Sequence, residues 1–87
     1  MLPPYTIIIH KKAQISFKSL FPSHQEKIRE ILASLATNPF GYPYVKIRGE
    51  LHLYRIRIGE YRILYEICSP LRKVIVLKIE QRSKVYK

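Results

Sequence analysis

Residues 53–68 read Leu-Tyr-Arg-Ile-Arg-Ile-Gly-Glu-Tyr-Arg-Ile-Leu-Tyr-Glu-Ile-Cys, two alternating runs on either side of Gly59-Glu60. A period of two marks a half-buried strand, and a glycine-led pair between two such runs marks a tight hairpin. No other stretch constrains the chain so strongly, because a two-residue loop sets the register of both strands. Ile58 then faces Tyr61, Arg57 faces Arg62, Ile56 faces Ile63, Arg55 faces Leu64 and Tyr54 faces Tyr65. Side chains alternate across a strand. One face therefore carries Tyr54, Ile56, Ile58, Tyr61, Ile63 and Tyr65 and is expected to be core. The other carries Leu53, Arg55, Arg57 and Arg62.

That second face works against folding. Arg57 and Arg62 lie directly opposite each other, and like charges so placed cost from a few tenths to roughly 1 kcal/mol. It is either a solvated basic surface, with Glu66 as partial compensation, or a phosphate site. Arginine suits the latter, since its planar guanidinium donates two parallel hydrogen bonds to a phosphate and stays charged.

The rest of the chain gives the hairpin something to pack on. Tyr5–Ile9 is an apolar, β-branched run that reads as a first strand. From His10 to Phe21, Ala13, Phe17, Leu20 and Phe21 recur on one helical face. Ser23-His24-Gln25-Glu26 has the form of a capping box, and Ile28, Ile31, Leu32 and Leu35 then trace a second helix that Asn38-Pro39 stops. The Phe40–Tyr44 loop is rich in aromatics, which usually pin such a loop to the core. Lys73–Ile79 is a last strand, and its unbroken apolar run Val74–Leu77 suggests cover on both faces. The order β-α-α-β-β-β implies an α+β fold, two helices packed on a mostly antiparallel sheet. With 87 residues it makes one domain, 1–87, ending in a basic tail at 80–87.

Charge narrows the function. Sixteen Lys+Arg stand against six Asp+Glu, a net +10, while 47% of residues are hydrophobic. This composition describes a folded domain whose partner is polyanionic, a nucleic acid or an anionic membrane. So short a chain has little room for a buried pocket, so no small-molecule ligand is expected. The opening MLPPYTIIIH has too short an apolar run for a signal peptide or a transmembrane span. Cys68 is the only cysteine and is read as a buried strand residue in a reducing compartment, which points to the cytoplasm. His10, His24 and His52 lack partners at metal-ligand spacing, so no metal or other cofactor is expected. His52 near Glu50 remains a formal acid–base pair at a strand entrance.

The closing Gln81-Arg82-Ser83-Lys84-Val85-Tyr86-Lys87 sets an aromatic ring among cations, a combination proteins use to stack unpaired RNA bases.

Taken together, Lys46-Ile47-Arg48-Gly49 and the run from Leu53 through Tyr65 resemble the RelE/ParE toxin superfamily pattern K-[LI]-x-G followed by Y-R-[IV]-R-x-G-x-Y-R-[LIV]-x-Y. The element order agrees along essentially the whole chain. The closing R-S-K-V-Y-K resembles the RelE branch, its archaeal members in particular. This resemblance implies the toxin of a type II toxin–antitoxin system, a metal-independent mRNA interferase. Such an endoribonuclease acts in the ribosomal A site by attack of a 2′-OH on the adjacent phosphodiester. It implies two partners, a RelB-like acidic antitoxin and the ribosome with its mRNA.

By the same resemblance Arg62 stabilises the transition state, and Arg55 and Arg57 are basic positions on the neighbouring strand. Arg82 contacts phosphate or the leaving group, and Tyr86 stacks on a base and helps position the nucleophile. Lys46, Arg48, Lys84 and Lys87 are the expected further RNA contacts. Two departures matter. Well-studied bacterial members carry lysines where this chain has Arg55 and Arg57, and some carry a basic residue where it has Glu80. Arginine is a poor general base, so charge stabilisation and substrate alignment should dominate, with Tyr86 the candidate to assist deprotonation beside Arg82 and Lys84. A ParE-like inhibitor of DNA gyrase and a non-catalytic basic nucleic-acid-binding module would use the same hairpin.

Overall fold

The computed structural model describes residues 4–81; the expectations placed on Arg82, Lys84, Tyr86 and Lys87 lie outside the described residues. At its centre is the expected hairpin, β3 (Leu53–Ile58) and β4 (Tyr61–Cys68), with every predicted partner in register from Tyr54↔Tyr65 to Ile58↔Tyr61. Gly59 takes a φ of +53° and Glu60 does not follow it to positive φ. That is the sign pattern of a type II′ turn, which needs glycine at its first central position.

Four further elements flank this hairpin. They are β1 (Thr6–Ile9), α1 (Lys11–Lys18), α2 (Pro22–Thr37) and, beyond the hairpin, the last strand, which becomes β5 (Lys73–Gln81). A two-residue strand that the sequence pattern does not reveal, β2 (Val45–Lys46), borders β3. The sheet order is β1-β5-β4-β3-β2, antiparallel except where β1 runs parallel to β5. The parallel pair follows from connectivity. Two helices and the hairpin separate the two strands, enough chain for the crossover that a parallel ladder requires.

Four readings, of boundaries and of burial, are corrected. The first helix ends at Lys18 rather than Phe21, with Ser19 as its C-cap. Leu20 still packs on the core, but Phe21 is 73% exposed. The capping box does not form either. Phe21 is the N-cap without a side-chain cap bond, and Pro22 opens α2, which places Ser23 inside the helix. Proline's fixed φ suits the first helical position and needs no N–H there, so the helix starts ahead of the serine. In place of the box, Gln25 Nε2 donates to the Phe17 carbonyl over 3.0 Å and ties the two helices together.

The third correction concerns β5. Val74 and Val76 are buried while Ile75 and Leu77 are only half-buried, so the strand is not covered on both sides. A bulge explains the apolar run. Tyr65 pairs with Val76 but Leu64 pairs with Lys78, leaving Leu77 unmatched. One extra residue shifts the inward phase from Val76 to Ile79. Cys68 likewise ends β4 half-buried rather than buried.

Both helices cover one face of the sheet. Ala13, Ile28, Ile31, Leu32 and Leu35 close over Ile56, Ile63, Tyr65, Ile67, Val74, Val76 and Ile79. The Phe40–Tyr44 loop is pinned at the sheet's β2 end, as its composition suggests. Phe40 and Tyr44 each meet Tyr54 edge-on, and Tyr54 stacks on Tyr65. Inside this cluster the Tyr65 hydroxyl is buried with no hydrogen-bond partner among the described residues. Burial raises its pKa far above the ordinary tyrosine value, with the neighbouring Tyr44 and Tyr54 adding to the shift.

Tyr65→Phe should therefore raise stability by about 1 kcal/mol, the low end of the cost of an unsatisfied buried hydroxyl. Its advantage should change with pH in a defined way. The unfolded tyrosine loses its proton near pH about 10 while folded Tyr65 keeps its own, so the wild type loses stability as pH rises from there. Phenylalanine does not titrate. Urea unfolding on both sides of that pH should show a constant gap below it and a widening gap above it. A gap that stays flat would mean the Tyr65 proton is not held.

Candidate nucleic-acid interface

The face that the helices leave open can be read row by row from the register. At the hairpin end, Arg57, Arg62 and Glu80 lie side by side on β3, β4 and β5. The next row is Val45, Arg55, Leu64 and Lys78, and the one after it Leu53, Glu66, Ile75 and Ile8. Cys68 and Lys73 follow, beside Thr6. Charge is thus gathered at the turn end and apolar surface lies toward β1. Among the described residues no element covers this face, and all of these side chains are half-buried or exposed.

Three guanidinium groups therefore share two adjacent rows. Arg57 is exposed, whereas Arg55 and Arg62 are half-buried. Arg62 Nε is shut off from solvent and has no hydrogen-bond partner among the described residues. A buried donor left unpaired costs about 1–3 kcal/mol, and more when charged. A phosphate oxygen would remove that cost, and the guanidinium fork matches two such oxygens at once. The carboxylate expected to compensate the arginines, Glu66, faces Leu53 instead. Glu80 is the acidic neighbour of Arg62, a placement sequence reasoning missed.

The hairpin end is held from beneath. The Tyr61 hydroxyl bonds to His24 Nδ1, linking the turn to the first part of α2. Tyr61 is 8% exposed, and burial, followed by the charge of Glu60, raises its pKa. The hydroxyl keeps its proton, and the neighbouring Arg62 projects from a strand held at this end.

The other proposed contacts sit apart from the arginines. Lys46 pairs with Tyr54 and so projects to the helix side of the sheet edge. Arg48 is exposed in the following loop, where Gly49 turns at a φ of +85°. His52 and Glu50 are both exposed and border a shallow depression of about 380 Å³ with Glu66, but their backbone hydrogen bonds go to Ile67 and Ile47 and none joins the two. Among the described residues no group of three or more His, Cys, Asp or Glu could hold a metal ion, and no helix is long and apolar enough to cross a membrane.

Known proteins share the sequence pattern and the fold. The family model described as ParE toxin of type II toxin-antitoxin system matches residues 7–86. A Methanocaldococcus jannaschii protein named as toxin RelE1 is 33% identical over 86 residues, covering 95% of this chain and 96% of its own. Among solved structures, that of the archaeal RelE-RelB complex from Pyrococcus horikoshii contains a chain similar to this one. Its TM-score is 0.79 at 27% identity, over 93% of this chain and 98% of that chain. The RelBE2 toxin–antitoxin complex of Mycobacterium tuberculosis gives a TM-score of 0.81 at 25% identity, over 95% and 97%.

Proposed function

The chain belongs to the RelE/ParE superfamily as a RelE-like toxin of a type II toxin–antitoxin system, and from that premise we propose that it is a ribosome-dependent endoribonuclease acting on mRNA in the A site. The observation that carries this reading is the row of Arg57 and Arg62, with a buried Arg62 Nε that has no partner among the described residues, on a face that no described helix covers. Arg62 binds the scissile phosphate and stabilises the charge that grows on it, the kind of preorganised contribution that is usually largest in catalysis. Arg55 and Arg57 hold the adjoining phosphates. Arg82, Tyr86, Lys84 and Lys87 extend the site through the tail, and Lys46 and Arg48 meet RNA beyond the sheet edge.

Three arginines cannot act as proton acceptors at neutral pH, and an exposed site of this kind does not orient a flexible strand by itself. The ribosome supplies the alignment of the 2′-oxygen on the phosphorus, which is worth several kcal/mol. A RelB-like acidic antitoxin neutralises the toxin, as the net +10 favours, and both meet in the cytoplasm. The purified protein should leave naked RNA nearly intact and cut mRNA on programmed ribosomes. Efficient cleavage of free RNA would count against ribosome dependence. The matching ParE family model favours a second reading, inhibition of DNA gyrase. Accumulation of gyrase–DNA breaks with translated mRNA left whole would decide for it.

A further inference from the structure

We propose that Glu80 is the general base of this site, taking the proton from the attacking 2′-OH. This inference rests on the reading of the chain as an mRNA nuclease. Glu80 is the direct cross-strand neighbour of Arg62 on the open face, so the two side chains leave the sheet about 5 Å apart. Yet no ion pair joins them, and Glu80 is exposed. The carboxylate and the guanidinium thus stand side by side, with no ion-pair partner among the described residues, where a ligand can lie across both. Glu80 also lines a cleft of about 240 Å³ with Lys12 and Ser16 of α1 and Lys78 of its own strand. The groups around it are therefore Lys12, Lys78 and Arg62, with Arg57 one strand further. A carboxylate can take up a proton where a guanidinium cannot, so Glu80 is the one side chain in the Arg57–Arg62–Glu80 row able to act as a base.

The step balances simply. Glu80 removes the 2′-OH proton as the 2′-oxygen bonds to phosphorus, Arg62 holds the two non-bridging oxygens, and the bond from phosphorus to the 5′-oxygen breaks. The departing oxygen takes a proton from water, and a 2′,3′-cyclic phosphate remains.

A carboxylate beside an arginine has an ordinary alternative role as a counter-charge, and the two roles predict opposite signs. Removing a counter-charge would leave Arg62 freer to bind phosphate and would hold or raise the rate. Removing a base lowers it by about 10²–10⁴-fold. The test is single-turnover cleavage on programmed ribosomes, from mildly acidic to mildly alkaline pH, for wild type, Glu80→Gln and Glu80→Asp. Glu80→Gln should lose rate on that scale together with the acid limb of the pH profile, while a thermal melt shows it still folded and at most slightly less stable. Glu80→Asp should keep the limb and recover part of the rate. Undiminished cleavage by Glu80→Gln, or a slower variant with an unaltered pH profile, overturns the assignment. If the wild type itself leaves ribosome-bound mRNA whole, the nuclease reading fails as well.

Discussion

Arg62→Ala should lower A-site cleavage by on the order of 10²–10³-fold, the scale for removing one stabiliser of transition-state charge, and leave the folded domain as stable as before. The stability half of this expectation comes from the row in which Arg62 stands. Arg57 on one side repels it and Glu80 on the other attracts it. Each cross-strand term is worth a few tenths to roughly 1 kcal/mol, so the two largely cancel. Removing the solvent-excluded Nε, which has no partner among the described residues, tips the balance slightly toward stability. Arg62→Lys should rescue only part of the rate, because a point charge cannot reproduce the two-pronged contact with phosphate. A thermal melt paired with the ribosome assay reads both quantities. If Arg62→Ala cleaves at the wild-type rate, the arginine face is only a solvated surface.

The neighbouring residue should behave in the opposite way. Ile63→Ala is expected to cost about 2–5 kcal/mol, the range for truncating a large buried aliphatic side chain. Ile63 is fully buried at the centre of the sheet, paired with Ile56 on β3 and Ile79 on β5. Total stabilities of about 5–15 kcal/mol are usual, and a chain of 87 residues falls toward the low end. The variant should therefore lose a large part of its stability, and toxicity should fall with the folded fraction. Urea unfolding checks this directly. A loss below about 1 kcal/mol would mean that the helices do not clamp the sheet as described. Two adjacent residues thus separate the causes of a dead toxin, Arg62 through chemistry with the fold kept and Ile63 through the fold itself.

How much was legible in the residues differs from element to element. The Gly59-Glu60 hairpin was readable in full because its information is local. Period-two alternation assigns each side chain to a face and a two-residue loop leaves one register, so the opposition of Arg57 and Arg62 follows without any tertiary contact. The second helix was equally plain in its apolar stripe, but its start was not. A serine–glutamate spacing and a proline compete for the same end, and proline prevailed. The two-residue β2 was hidden because so short a strand has no period to detect, and its existence depends on the edge of β3 offering hydrogen-bond partners.

Sequence alone therefore determined the fold class, the core face of the hairpin and the arginines opposite it, all consequences of spacing between near neighbours. Only the tertiary structure decided which acidic residue joins them. Counted from the Cys68↔Lys73 pair without interruption, β5 would set Ile79 against Arg62 and turn Glu80 toward the helices. The bulge at Leu77 prevents this. A charged side chain cannot be buried unpaired under α1 and α2 at a tolerable cost, whereas Ile79 gains by entering that core. The strand takes up one extra residue to satisfy both, and that shift brings Glu80 beside Arg62 on the open face.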